Sequence, residues 1–265
     1  MKKIAILGAG NIGQAIYKGL VQSGEVKPEQ CILSNTNISL IEPFKHEGCS
    51  ITDNNREAVL FADILILCVE PQQMNRLLGQ IRPSIDAKKH LIISIVTGVS
   101  ISQIVENLKI DLPVFRAMPN TAISIGESMT ALACRNEDKH LLPQVENIFK
   151  HLGDTIYLKE DLITSATALA SCGIAFFMRA IRAAIQGGIE IGLHAEDAKK
   201  MAAQTAKGAA MLLISSGNHP ESEVDKVTTP MGVTISGLNQ MEHVGFSSAM
   251  IKGIVTAWEK ANKIY

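Results

Sequence analysis

A chain of 265 residues holds one large core or two domains, at roughly 100–200 residues per domain. Its formal net charge of −1, with basic residues scattered along the chain, argues against nucleic acid as the main partner. The five cysteines (Cys31, Cys49, Cys68, Cys134, Cys172) stand far apart with no CxxC and no Cys/His cluster, so neither a disulfide frame nor a metal site is expected, and a reducing cytoplasm is.

The opening MKKIAILGAG imitates a signal peptide, but Gly8 and Gly10 interrupt its apolar run, so a strand is expected there and export is not. Up to about residue 155, short apolar runs alternate with helical patterns, as in a series of βαβ units. Strands are expected at Lys3–Leu7, Cys31–Ser34, Ile64–Val69, Leu91–Val96, Pro113–Ala117, Ser128–Ala133 and Thr155–Leu158. Helices are expected at Asn11–Ser23, Asn55–Leu60, Pro71–Ile81, Ser100–Leu108 and Lys139–His151. After Lys159 the β character ends, and Asp161–Leu193, Ala195–Ser215 and Phe246–Ala261 read as helices. Leu162–Met178 carries no charge but is shorter than the ~20 strongly apolar residues that span a bilayer. Rich in small side chains, it reads as a helix buried against a second subunit, and no membrane partner is expected.

Gly8-Ala9-Gly10-Asn11-Ile12-Gly13 follows the first strand and opens the first helix. In this context Gly8 permits the tight turn, Gly10 lets backbone approach a pyrophosphate, and Gly13 packs helix on strand. The helix N-terminus adds free N–H groups and its dipole. Where an NAD enzyme places a carboxylate after the second strand, this chain has Ser34-Asn35-Thr36-Asn37. Without that negative charge NADP is favoured over NAD, which the residues also admit. The expected fold is therefore α/β: an N-terminal Rossmann-type doubly wound sheet (residues 1–158), then an all-helical C-terminal dimerisation domain (residues 159–265).

Within Asp225–Glu242, a Thr-Thr-Pro turn leads to Gly232, Thr234, Ser236 and Gly237 before a helical pattern resumes. Proline fixes φ and glycine admits close approach, so N–H and hydroxyl groups there can converge on a small anion. A plain turn between helices has the same composition, with Thr234 as a helix N-cap. His194 and His219 read as surface residues, and Glu190 as a satisfied interface group.

The 225–242 segment resembles the C-terminal signature of the pyrroline-5-carboxylate reductase family, in which Thr-Ser-Pro-Gly-Gly-x-Thr-x-x-Gly-Leu cradles the substrate carboxylate. Other pieces follow the family in order. Cys68-Val69-Glu70-Pro71-Gln72 is similar to its Ala-Val-Lys-Pro-Gln, Ser94–Val99 to its Ser-x-Ala-Ala-Gly-Val, and Arg116–Thr121 to its Arg-x-Met-Pro-Asn-Thr. The resemblance implies cofactor contacts at Ser34, Asn35, Asn55, Cys68, Val69, Pro71, Thr97, Gly98 and Asn120, besides the glycine-rich turn. Asn120 would lie beside the nicotinamide and Asn55 near the adenosine phosphate. Arg56 would supply the charge that Thr36 lacks where relatives often carry arginine. Thr229, Met231, Gly232, Val233 and Thr234 would hold the substrate, with Thr234 also catalytic, near the ring nitrogen.

The implied activity is NAD(P)H-dependent reduction of 1-pyrroline-5-carboxylate to L-proline, by a homodimer or an assembly of dimers. Its active sites would lie between one subunit's nucleotide domain and the helical domains. A divergent paralogue reducing another cyclic imine or small carbonyl, and a non-catalytic dinucleotide sensor, are the alternatives. Ala170–Phe176 in place of Ser-Gly-Ser-Gly-Pro-Ala-Tyr, and Met231, favour these alternatives, whereas Thr234 and Met118-Pro119-Asn120-Thr121 favour the reductase. The chain also departs from the family at Glu70, which replaces a lysine, at Arg182, where an acid is common, and at Val233, which removes a hydroxyl. Met231 replaces a glycine; at positive φ a side chain there costs roughly 1–2 kcal/mol.

Overall fold

The computed structural model describes residues 2–263. Its strands are β1 (Ile4–Leu7), β2 (Cys31–Ser34), β3 (Ser50–Thr52), β4 (Ile64–Leu67), β5 (Leu91–Ser94), β6 (Val114–Met118), β7 (Ser128–Cys134) and β8 (Gly153–Tyr157). They form one sheet in the order β3-β2-β1-β4-β5-β6-β7-β8, with every pair parallel except β6 and β7. Helices α1 (Asn11–Gln22), α2 (Asn55–Phe61), α3 (Met74–Ile81), α4 (Ile101–Leu108) and α5 (Leu142–Phe149) connect them.

The inner strands are unbroken runs such as Ile-Ala-Ile-Leu and Ile-Leu-Ile-Leu because both sheet faces are covered. Ile4, Ile6, Leu33, Ile66 and Ile93 join Ile16, Leu20 and Phe149 on one face. Ala5, Leu7, Leu65 and Ile92 join Val59, Leu78 and Ile104 on the other. Each such Leu or Ile, fully buried, contributes roughly 1.5–3 kcal/mol. This is the doubly wound sheet that the sequence pattern predicts. Strand β3 is an addition: Ser-Ile-Thr is too short and polar to read as an apolar run, but it pairs with Ile32–Ser34 at the sheet edge.

From Glu160 the chain is helical: α6 (Ile163–Ala166), a π turn (Thr167–Ser171), α7 (Gly173–Glu190), α8 (Ala195–Ser216), α9 (Pro220–Lys226), α10 (Val233–His243) and α11 (Phe246–Ala261). Two of these differ from expectation. Helix α9 is short, but Pro220 opens it and His219 Nδ1 accepts the Glu221 N–H at 3.3 Å. Helix α10 begins right after Gly232, ahead of Gly237, so Gly232 and not Thr234 is the N-cap. An interior glycine costs only about 1 kcal/mol against alanine, which tertiary context overrides.

The chain divides into two compact units, Met1–Cys172 with Ala257–Tyr265, and Gly173–Thr256. Within the second, only Gly173 and Ala198 are buried. Helices α7 and α8 pack closely at Gly188, where an added Cβ would lie 3.2 Å from that of Ala198. Phe177, Ile191 and Ile214 remain 61%, 82% and 75% exposed. An apolar trough of about 300 Å³ runs along Phe176, Ala180, Ala183, Phe246, Met250 and Gly253. Apolar surface this extensive marks a protein interface. His194, His219 and Glu190 are exposed in the single chain.

Candidate active site

The glycine-rich turn connects β1 to α1, and its steric demands follow from position. Gly8 has φ +83°, and a Cβ there would lie 2.5 Å from Val69 Cγ1. At Gly13 a Cβ would meet Ile6 Cγ2 at 3.0 Å, so the glycine sets how closely α1 lies on the sheet. Gly10 is the N-cap of α1, and an added Cβ finds nothing nearer than 3.9 Å, leaving open space beside the helix N-terminus. The first turn of α1 has no acidic residue, so its free N–H groups face no competing anion of their own. The Gly8 and Ala9 N–H groups both donate to the Ser34 carbonyl at 2.9 Å, and the Asn35 side chain donates to the Ala9 carbonyl at 3.0 Å. The end of β2 thereby fixes the turn.

A cavity of about 320 Å³ opens beside this turn. Of the residues expected to hold a dinucleotide, Gly8, Gly10, Ser34, Asn35, Asn55, Cys68 and Val69 line it. Ser34 Oγ donates to Asn55 Oδ1 at 2.8 Å, and Asn55 Nδ2 donates to Gln80 Oε1 at 2.9 Å. The result is a neutral polar network at the end of β2, suited to a phosphorylated ribose. Burial pushes the Cys68 thiol well above its ordinary pKa, so it is a neutral wall and not a nucleophile. An open helix N-terminus, glycines enforced by sterics and a neutral β2 end together fit a pyridine dinucleotide.

Ala9, Asn11, Ile12 and Gly13 belong to the turn and helix but do not line the cavity, nor do Pro71, Thr97, Gly98 and Asn120. Arg56 is also absent from the wall: its Nε donates to the Gln80 carbonyl at 2.9 Å. Asn120 is buried and uses both ends of its amide internally. Its Oδ1 accepts the Ala122 N–H at 3.0 Å, and its Nδ2 donates to the Ala170 carbonyl at 3.3 Å, in the π turn. Ser171 Oγ donates to the Pro119 carbonyl at 2.8 Å, so two bonds hold this loop to the turn. Below it, Arg116 is buried with Glu160 at 3.4 Å, and Glu160 also accepts the Ile101 N–H at 2.7 Å. Gln73, Arg76, Leu77 and Gln80 line the cavity without having been anticipated. Their spacing of three and four along one helix face was the available signal.

The other expected site lies in the helical unit. The Gly232 N–H donates to the Thr229 carbonyl at 2.8 Å, closing a turn with Pro230 second and Met231 third. Met231 has φ +59°, the left-handed geometry in which glycine is preferred at the third turn position. Helix α10 starts at Val233, leaving its first N–H groups without intrahelical partners. Thr229, Met231, Val233 and Thr234 are exposed there, and Gly232 between them is partly covered.

Comparison with known proteins agrees with both halves. Residues 3–98 match the family model for NADP oxidoreductase, coenzyme F420-dependent, and residues 160–264 match that for pyrroline-5-carboxylate reductase dimerisation. The chain is 54% identical to pyrroline-5-carboxylate reductase 1 of Dictyostelium discoideum, over 99% of its own length and 50% of that protein's. It is 48% identical to reductase 2 of the same organism, covering 99% and 93%. The crystal structure of Plasmodium falciparum pyrroline carboxylate reductase with NADP bound superposes with a TM-score of 0.87 at 26% identity, over 98% and 97% of the two chains. The helix Glu160–Glu190 is long and apolar enough to cross a membrane, with 11% of its most apolar window buried. It falls within the dimerisation match, and a homo-oligomer covers such a surface. With a glycine-enforced dinucleotide turn at one end, a dimerisation module at the other and reductase likeness throughout, the chain belongs to the pyrroline-5-carboxylate reductase family.

Proposed function

We propose that this chain reduces 1-pyrroline-5-carboxylate to L-proline with NADPH, in the cytoplasm and as a homo-oligomer. Likeness over 99% of the chain to named reductases is the observation that carries the reading. Five unpaired cysteines support a reducing compartment. A functional division at residue 158/159 is supported by the start of the dimerisation match at residue 160.

The reaction adds a hydride to the imine carbon and leaves a proton on nitrogen. Bound reduced nicotinamide supplies the hydride. The remaining work is placement, because an imine protonated at nitrogen is already electrophilic and calls for no strong acid from the protein. The Gly8–Gly13 turn binds the pyrophosphate, and the Ser34–Asn55–Gln80 network receives the phosphorylated ribose. Asn120 acts as a positioning residue through its bonds to the π turn. In the helical unit, the free N–H groups at the start of α10 and the hydroxyls of Thr229 and Thr234 hold the substrate carboxylate. Thr234 also hydrogen-bonds toward the ring nitrogen, keeping its proton in place. Met231 and Val233 form the apolar rim.

Purified protein given NADPH and pyrroline-5-carboxylate should consume NADPH and release proline in equal amounts. A flat trace with NADPH still raising the melting temperature would instead identify a dinucleotide sensor. Faster turnover of a different cyclic imine would identify a divergent paralogue.

A further inference from the structure

We infer that Arg76 sets this chain's preference for NADPH over NADH, by pairing with the ribose 2′-phosphate. The inference rests on the cavity beside Gly8 and Gly10 being the nucleotide site. The residue that the sequence puts forward for this charge, Arg56, has its Nε engaged by the Gln80 carbonyl and lies outside the cavity wall. Arg76 does line the wall, is exposed, and makes no hydrogen bond or ion pair to any described residue. Among the described residues it is the one arginine or lysine on that wall.

Its place in the fold explains why it would meet this phosphate. Arg76, Leu77 and Gln80 of α3 line the cavity with Gln73 just before the helix, and Gln80 is tied through Asn55 to Ser34 at the end of β2. In this fold the end of the second strand is where the adenosine ribose is read. Arg76 lies one turn before Gln80 on α3. Glu70, among the described residues the one carboxylate on the wall, follows β4, which lies on the opposite side of β1 from β2. Its neighbour Val69 packs at Gly8, so Glu70 belongs to the glycine-turn end of the cavity. A guanidinium presents a planar fork of donors that matches phosphate oxygens, and an unengaged one spends no existing bond to do so.

The test is nucleotide binding to the full chain without imine, read by nicotinamide fluorescence for NADPH and NADH separately. In Arg76→Gln the NADPH Kd should rise roughly ten- to a hundredfold, as for loss of a charge-assisted bond, with the NADH Kd within about twofold. The dependence of NADPH binding on salt should shrink in the same variant. Arg56→Gln should leave NADPH affinity within about threefold. An unchanged NADPH Kd in Arg76→Gln, an equal loss for both nucleotides, or a selective loss in Arg56→Gln would overturn the inference. Failure of the unaltered chain to bind either nucleotide would remove the reading of the cavity itself, and the role of Arg76 with it.

Discussion

Gly232 hydrogen-bonds to the Thr229 carbonyl at 2.8 Å and comes so close that a Cβ on it would sit 2.5 Å from Thr229 Oγ1 and 2.8 Å from the same carbonyl. Its φ of −72° suits any residue, so space and not backbone geometry demands the glycine. Gly232→Ala must push Thr229 out of the turn. The KM for pyrroline-5-carboxylate should rise at least tenfold while the NADPH Kd stays within twofold. Steady-state kinetics beside a nucleotide titration measures both, and an unaltered KM would detach this turn from the substrate.

Met231 poses the opposite case. Its φ of +59° costs a non-glycine residue roughly 1–2 kcal/mol. Met231→Gly releases that strain but raises the entropy of the unfolded chain, offsetting about 0.4–1 kcal/mol. The net expectation is a gain of roughly 0–1.6 kcal/mol in denaturant unfolding, with turnover equal or better. A large loss of activity would show that the side chain, fully exposed in the single chain, contacts the substrate or a partner copy.

Thr234 is the second residue of α10, so its hydroxyl is not needed to cap the helix. Thr234→Val keeps the branched shape and removes only that hydroxyl. Turnover should fall at least tenfold with unfolding and NADPH affinity unchanged. Equal kinetics would place the imine nitrogen elsewhere.

The legible parts of this molecule are those in which local sequence and global fold impose the same demand. Gly8 and Gly13 are readable because strand, turn and helix each require a missing Cβ at that spacing. The inner strands are readable because burial on both faces leaves no polar residue in Ile4–Leu7 or Ile64–Leu67. Strand β3 escapes notice because three residues at a sheet edge gain their stability from pairing with β2. Gly237 hides the start of α10 because a helix tolerates one interior glycine. Arg56 attracts attention by its neighbour in sequence, whereas Arg76 reaches the cavity because α3 packs on the sheet through Met74, Leu77, Leu78 and Ile81 and is linked through Gln80 and Asn55 to the end of β2. Such a contact depends on how elements pack, and no local pattern encodes it.

Amide hydrogen exchange of the full chain, followed with NADPH alone and with L-proline added to it, tests the assignment of the two ligands most directly. NADPH should slow exchange in residues 8–14 and 74–81, and proline should further slow residues 231–236, where the N–H groups opening α10 gain a carboxylate partner. Exchange in residues 231–236 that ignores proline, while another segment becomes protected, would contradict the account.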